Sequence, residues 1–108
     1  MNIGIVTTWF PSGAGMVSKA YEMTFSKAHK VFIFARGNED KEWNNTNVTW
    51  AKEHPCSTGI WKKDFVNWVR TNKIDIVLFN EQRYWKTVLL AKKMGIMIGA
   101  YIDYYTAD

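Results

Sequence analysis

The run Val31-Phe32-Ile33-Phe34-Ala35 is apolar at every position. A strand of this kind is buried on both faces, which is the condition inside a parallel sheet. Comparable short runs open the chain at Asn2-Ile3-Gly4-Ile5-Val6-Thr7-Thr8 and recur at Ile74-Asp75-Ile76-Val77-Leu78-Phe79 and at Ile96-Met97-Ile98-Gly99-Ala100-Tyr101-Ile102. Segments with a helical period lie between them. Over residues 16–28, Val17, Ala20, Tyr21, Thr24, Phe25 and Ala28 follow the spacing of one helix face. Lys27, His29 and Lys30 close that helix, with cations at the negative end of its dipole. A second helix is expected over residues 60–72, with Trp61, Phe65, Trp68 and Val69 as its buried stripe. A third is expected over residues 82–94, stopped by Gly95.

Residues 37–47 form the polar loop of the chain, and the strand after it, Val48-Thr49-Trp50-Ala51, is short. No helix connects this third strand to the second. Because a parallel crossover needs about a dozen residues or more, it is expected to be antiparallel or a loose edge. The element order β-α-β-β-α-β-α-β predicts an α/β fold. It is a doubly wound, Rossmann-like three-layer sandwich of about five mostly parallel strands and three helices. Right-handed crossovers give the strand order 3-2-1-4-5. Residues 1–108 make one domain. Ligands in such sheets bind outside the carboxyl ends of the strands at the switch point, here between strands one and four.

Hydrophobic residues make up 47% of the chain, which excludes disorder. Aromatic residues make up 16%, including six Trp, so bulky layers or an aromatic surface must be accommodated. The helix-two Trp stripe and the five Met read as core. Cys56 is the single cysteine, so no internal disulfide forms. His29, His54 and Cys56 lack metal-ligand spacing, and no metal is assigned. No secretory leader or apolar span is legible, and the cytosol is the default compartment. The net charge of +4 suits a nucleotide, a nucleic acid or an anionic membrane and decides among none of them. The basic positions of helices two and three read first as solvated faces, and a membrane-facing helix two is the lesser reading.

The first strand runs into Pro11-Ser12-Gly13-Ala14-Gly15 and then into helix one. A strand, a glycine turn and a helix N-terminus together can cradle an anion on backbone N–H groups. Ser18 stands where a dinucleotide fingerprint has its third glycine, and no Gly-Lys-Ser/Thr follows, so the turn fits neither phosphate motif completely. Gly13, Ala14 and Gly15 are the candidate anion-binding residues, with a purely structural turn as the alternative. Glu81 and Asp103 both fall at the carboxyl edge of the expected sheet and are general-base candidates. Glu81 reads first as a first-turn carboxylate facing the dipole of helix three and second as such a base. Asn80 reads first as that helix's N-cap and second as a substrate contact. Arg83 and Tyr84 border the same crevice. Tyr104, Tyr105, Trp9 and Phe10 supply either sugar-stacking faces or an apolar lid.

Four stretches together resemble the N-terminal domain of group 1, GT-B fold, family 4-like glycosyltransferases. They are Asn2-Ile3-Gly4-Ile5-Val6 with its glycine turn, His29-Lys30-Val31-Phe32-Ile33-Phe34, Lys73-Ile74-Asp75-Ile76-Val77-Leu78-Phe79-Asn80, and Ile98-Gly99-Ala100-Tyr101-Ile102-Asp103-Tyr104. The likeness spans essentially the whole chain. It departs where Asp103 and Asn80 stand at positions that carry His in the family. The resemblance implies sugar transfer from a nucleotide-sugar donor to a sugar or lipid-linked acceptor, with retention and without a metal or other cofactor. In that picture residues 13–15 accommodate the diphosphate, Asp103 and Glu81 serve catalysis, and Asn80, Arg83 and Tyr104 contact substrate. The family's second domain supplies most donor contacts. The chain is therefore expected to be an incomplete, acceptor-side half, inactive alone, with a missing C-terminal domain as partner.

Expected partners are thus the donor, the acceptor and that second domain, and not a nucleic acid. The expected location is cytoplasmic, with peripheral contact at the inner face of a membrane as an option. The alternative function is a small non-enzymatic, flavodoxin-like module that binds a nucleotide or phosphate. A phospho-receiver is disfavoured because Thr7-Thr8-Trp9 replaces the acidic pair after strand one. Strand five is apolar on both faces and ends the sheet, so homodimerisation through it is expected.

Overall fold

The first strand, β1 (Asn2–Thr8), occupies the centre of one five-stranded sheet. In the computed structural model, which describes residues 1–101, the strand order is β3-β2-β1-β4-β5. The other strands are β2 (Lys30–Arg36), β3 (Val48–Trp50), β4 (Ile76–Asn80) and β5 (Met97–Tyr101). Every pairing is parallel. The helices are α1 (Gly13–Phe25), α2 (Lys62–Asn72) and α3 (Trp85–Lys93). The expected α/β architecture and strand order are those observed.

The third strand corrects an expectation. β3 runs parallel to β2, with Ile33 opposite Val48 and Ala35 opposite Trp50. Residues 37–47 make this crossover with only a single 3₁₀ turn, Lys41–Trp43. Trp43 anchors the loop: it is buried, meets Trp9 edge-on at 5.1 Å, and accepts a 2.7 Å hydrogen bond from Trp9 Nε1 on its carbonyl. A packed indole does here what a crossover helix usually does.

The two faces of the sheet carry separate cores. Val6, Phe34, Val77 and Phe79 pack with Phe65, Trp68 and Val69 of α2 and with Val88 and Ala91 of α3. Ile3, Ile5, Val31, Ile33 and Ala35 form the second core with Trp9 and Trp43, flanked by Tyr21 and Phe25 of α1. The alternation along each strand thus serves two apolar layers. Gly4 leaves room for the α2 indole, since a Cβ there would lie 2.3 Å from Trp68 Cη2.

Helix positions differ from expectation in instructive ways. α1 begins at Gly13, because Ser12 caps it: its Oγ accepts from Gly15 N at 3.0 Å. The glycine segment is the helix's first turn rather than a turn before it. The buried stripe shifts accordingly to Gly15 and Ser18, while Ala20, Thr24 and Ala28 are exposed. No cation lies in the last turn of α1, and Lys27, His29 and Lys30 fall beyond it. α3 begins at Trp85 with Tyr84 as N-cap, so Asn80 is not its cap and Glu81 is not in its first turn. Trp61 is 47% exposed at the N-cap of α2, not part of the buried stripe. Met1, Met16, Met23 and Met97 are each more than half exposed rather than core. Gly95, at φ 76, follows the end of α3 as expected.

α2 ends on Lys73 in the left-handed conformation, φ 51 and ψ 50. An L-residue bears a steric cost there that glycine does not. Lys73→Gly is expected to raise stability by about 0.5–1 kcal/mol, read as a higher urea midpoint at unchanged slope.

Candidate functional site

A parallel sheet delivers all its carboxyl ends to one edge, and the switch between β2-β1 and β4 opens a crevice there. Two of the three sequence-selected segments bear on this edge among the described residues. Gly13, Ala14 and Gly15 form the first turn of α1, and Asn80 ends β4 with Glu81 directly after it. They meet directly: Asn80 Nδ2 donates to the Ala14 carbonyl at 2.9 Å. Asp103 and Tyr104 lie outside the described residues. β5 pairs Tyr101 with Asn80, so the last described strand also reaches this edge.

Asn80 is the centre of a buried polar relay. Its Nδ2 also donates to Ser18 Oγ at 2.7 Å; Ser18 Oγ donates to Thr7 Oγ1 at 2.7 Å; Thr7 Oγ1 donates to the Thr8 carbonyl at 2.8 Å. Asn80, Ser18 and Thr7 are all essentially inaccessible. The relay binds the N-terminal half of α1 to β1 and β4. Asn80 Oδ1 is buried without a donor, a cost of about 1–3 kcal/mol for an unsatisfied acceptor. The carboxamide oxygen is therefore the side chain's unused acceptor.

The three candidate amides are not equivalent. Gly15 N–H is occupied by Ser12 Oγ. Gly13 and Ala14 stand at the first two helical positions, where N–H groups have no intrahelical acceptor. Gly15 is dictated by packing: a Cβ there would sit 2.0 Å from the Phe10 carbonyl oxygen, whereas one on Gly13 would meet nothing. Of the aromatic candidates, Trp9 is buried against Trp43 and presents no face to a sugar, while Phe10 is 39% exposed. Arg83 is exposed in the loop after Glu81.

The side chain that organises this edge, Arg36, was not among the residues selected from the sequence. It ends β2 and is only 3% exposed. Nη1 donates to Gln82 Oε1 and to the Glu81 carbonyl, and Nη2 to the Asn80 carbonyl at 2.8 Å. Gln82 passes the connection on, donating through Nε2 to the Thr58 carbonyl at 2.7 Å, and Tyr84 N donates to Thr58 Oγ1. Burial lowers the Arg36 guanidinium pKa to about 10, opposed by the Glu81 carboxylate, so the group remains a cation at neutral pH. The sequence signal was a cation directly after the apolar run Val31–Ala35.

Glu81 itself sits at φ 54, in the left-handed region. The kink turns the chain out of β4 and presents the Asn80 and Glu81 carbonyls to Arg36. Strained non-glycine residues of this kind collect at functional sites. Among the described residues no group of three His, Cys, Asp or Glu side chains is placed to hold a metal ion. Nor, among them, is any helix long and apolar enough to cross a membrane. Compared with protein-family models, with curated proteins and with solved structures, the chain matches none.

The strain at Glu81 is separable from its carboxylate. Glu81→Ala and Glu81→Gly both remove the charge, but only glycine relaxes the backbone. The glycine variant is expected to be more stable than the alanine variant by about 1 kcal/mol in paired urea melts. Equal stabilities would show that the left-handed turn carries no strain.

Proposed function

We propose that this chain is the acceptor-side domain of a glycosyltransferase that moves a sugar from a nucleotide-sugar donor. The observation that carries the reading is the junction of the α1 N-terminus with the end of β4 at the sheet's switch point, sealed by the Asn80–Ala14 hydrogen bond. The Gly13 and Ala14 N–H groups and the positive end of α1 suit a diphosphate oxygen. Glu81, which follows Asn80 in the chain, suits an acceptor hydroxyl or the positive charge that develops at the anomeric carbon. By the resemblance, Asp103 shares that role, and Arg83 and Tyr104 join Asn80 in contacting substrate.

The transfer breaks the bond from the anomeric carbon to the diphosphate oxygen and forms one to the acceptor oxygen, whose proton must leave. Such a reaction needs walls on both sides to orient two substrates and exclude water. The described residues offer one wall. The proposal is therefore that these 108 residues bind donor or acceptor but do not turn them over, and that a second domain closes the crevice. The cytosol is the proposed compartment. A lipid-linked acceptor at a membrane face is consistent with the α2–α3 groove of about 420 Å³, where Trp61 and Leu89 are exposed beside Lys62, Lys86 and Lys93.

Titration calorimetry with UDP-glucose and GDP-mannose, against the free nucleotides, tests the reading. Saturable binding of a sugar nucleotide in preference to its free nucleotide is the expected result. Equal affinity for both would favour the simple nucleotide-binding module, and no binding at millimolar ligand would overturn both readings. Turnover above buffer hydrolysis that is abolished by Asp103→Ala would overturn the claim of inactivity alone.

The reading also includes self-association through β5, which pairs only with β4 among the described residues and leaves Met97 61% and Ile98 38% exposed. Sedimentation equilibrium at tens of micromolar protein is expected to show a dimer that Met97→Lys dissociates. A monomer would refute it.

A further inference from the structure

We propose that the cleft beside Arg36 is a subsite for an oxyanion, the phosphate or carboxylate of an anionic acceptor. Its assignment to the acceptor rests on the glycosyltransferase reading; the binding of the anion does not. The cleft holds about 210 Å³ between the carboxyl ends of β2 and β3 and the loop that precedes α2. Arg36, Gly37, Lys52, His54 and Ser57 line it, and Glu53 is also on its wall.

Three observations support this use. The first is the guanidinium's unfilled capacity. A buried arginine is stable only when its charge and its N–H groups are answered. The hydrogen bonds of Arg36 go to two backbone carbonyls and to the neutral amide of Gln82. Its Nε–H is buried and has no acceptor. Nε belongs to the edge of a guanidinium that makes two parallel bonds to a carboxylate or phosphate, and such charge-assisted pairs are roughly twice as strong as neutral hydrogen bonds.

The second is a companion cation. Lys52 lines the same cleft, and its backbone N–H is fixed by Asp64 Oδ2 at 3.0 Å, which holds the chain in place at the end of β3. The third is the rigidity of the far wall. His54 Nδ1 accepts from Cys56 N at 3.0 Å, and the ring lies between Trp61, at 4.4 Å, and Tyr84, at 5.1 Å. Gly59 has no space for a side chain, since a Cβ would lie 2.0 Å from His54 Nδ1. Thr58 is bonded to Gln82 and Tyr84, so the wall and the Arg36 cage are one hydrogen-bonded unit. The walls of the cleft are thus fixed, and an anion reaches the buried Nε–H only by a local shift of the groups that cover it.

The Glu81 carboxylate favours the charged form of Arg36, and the Glu81 backbone carbonyl accepts from Nη1. An incoming anion approaches past Glu53 and shares the guanidinium's field with Glu81. Affinity is therefore expected in the millimolar range for a bare ion.

The test reads the Arg36 Nε–H resonance directly by proton–nitrogen NMR of the intact chain. Inorganic phosphate and glucuronate are the two anionic probes, and methyl glucoside is the neutral control. At least one anion is expected to shift the Nε–H signal saturably, together with the Gly37 and Ser57 amides; the neutral sugar is not. Which anion binds more tightly identifies the class of acceptor group. Lys52→Glu, at an exposed position, is expected to weaken that binding about tenfold without unfolding the chain. An unmoved Nε–H signal would overturn the proposal. So would shifts that sodium chloride reproduces at equal ionic strength. Sugar-nucleotide binding without an anion response would remove this subsite and leave the proposed function. Anion binding without sugar-nucleotide binding would support the subsite and count against that function.

Discussion

Parallel pairing is the constraint on which the rest of this molecule depends. A parallel strand cannot be reached by a tight turn, so each connection must cross a face of the sheet. The crossings place helices over apolar residues and deliver all five carboxyl ends to one edge. Everything with chemical potential at the switch point, from the α1 N-terminus to Glu81, is there because of that geometry. The same constraint explains Trp43. The β2–β3 crossover lacks a full helix, and a single buried indole with its carbonyl bonded to Trp9 supplies the cover instead.

At the carboxyl edge, two polar systems replace apolar packing, and they share one residue. The Asn80 side chain belongs to the relay through Ser18 and Thr7, while its carbonyl receives Arg36. The relay holds α1 to β1 and β4; Arg36 holds β2 to the β4 exit and, through Gln82, to Thr58. The position of the α1 N-terminus relative to Glu81 is thus set by buried hydrogen bonds rather than by loop packing. Each system leaves one atom unanswered, Asn80 Oδ1 in one and Arg36 Nε in the other. Fully satisfied networks confer rigidity, and partly satisfied ones mark positions where a ligand can complete them.

The sheet order was legible because the apolar runs are short, continuous and separated by helical spacing, as Val31 to Ala35 shows. The meeting of residues 13–15 with Asn80 followed from that order alone. The direction of β3 was not legible, because a buried tryptophan in a polar loop carries no period. The phase of α1 was legible only in part: Tyr21 and Phe25 pack on the core as their spacing implied, while Ala20, Thr24 and Ala28 do not. Its buried positions, Gly15 and Ser18, are small and polar rather than apolar, selected for close approach and for the Asn80 relay. Arg36 was overlooked because its partners, the Asn80 and Glu81 carbonyls, the Gln82 amide and the Glu81 charge, come from a distant stretch of chain. A hydrophobic pattern reports what leaves water, and it is silent on which polar groups leave with it.

The two faces of the sheet are covered unequally, and this bears on how a second body would attach. Among the described residues α2 and α3 share one face, while α1 is the one helix on the other, beside Trp9 and Trp43, and contacts chiefly β1 and β2. On the α1 side a trough of about 330 Å³ remains, lined by Ile5, Tyr21, Phe25, Leu78 and Gly99. Gly99 admits the Leu78 side chain, since a Cβ there would lie 2.7 Å from Leu78 Cδ2. Met97 continues this exposed surface along β5 at 61% exposure. A parallel sheet is stable in water only when such surface is covered. The carboxyl edge and the β5 side are therefore different kinds of surface: one polar, preorganised and suited to substrates, the other apolar and suited to protein. A partner seated along β5 would leave the Arg36 cleft open, because that cleft lies at the opposite, β2–β3 side of the switch point.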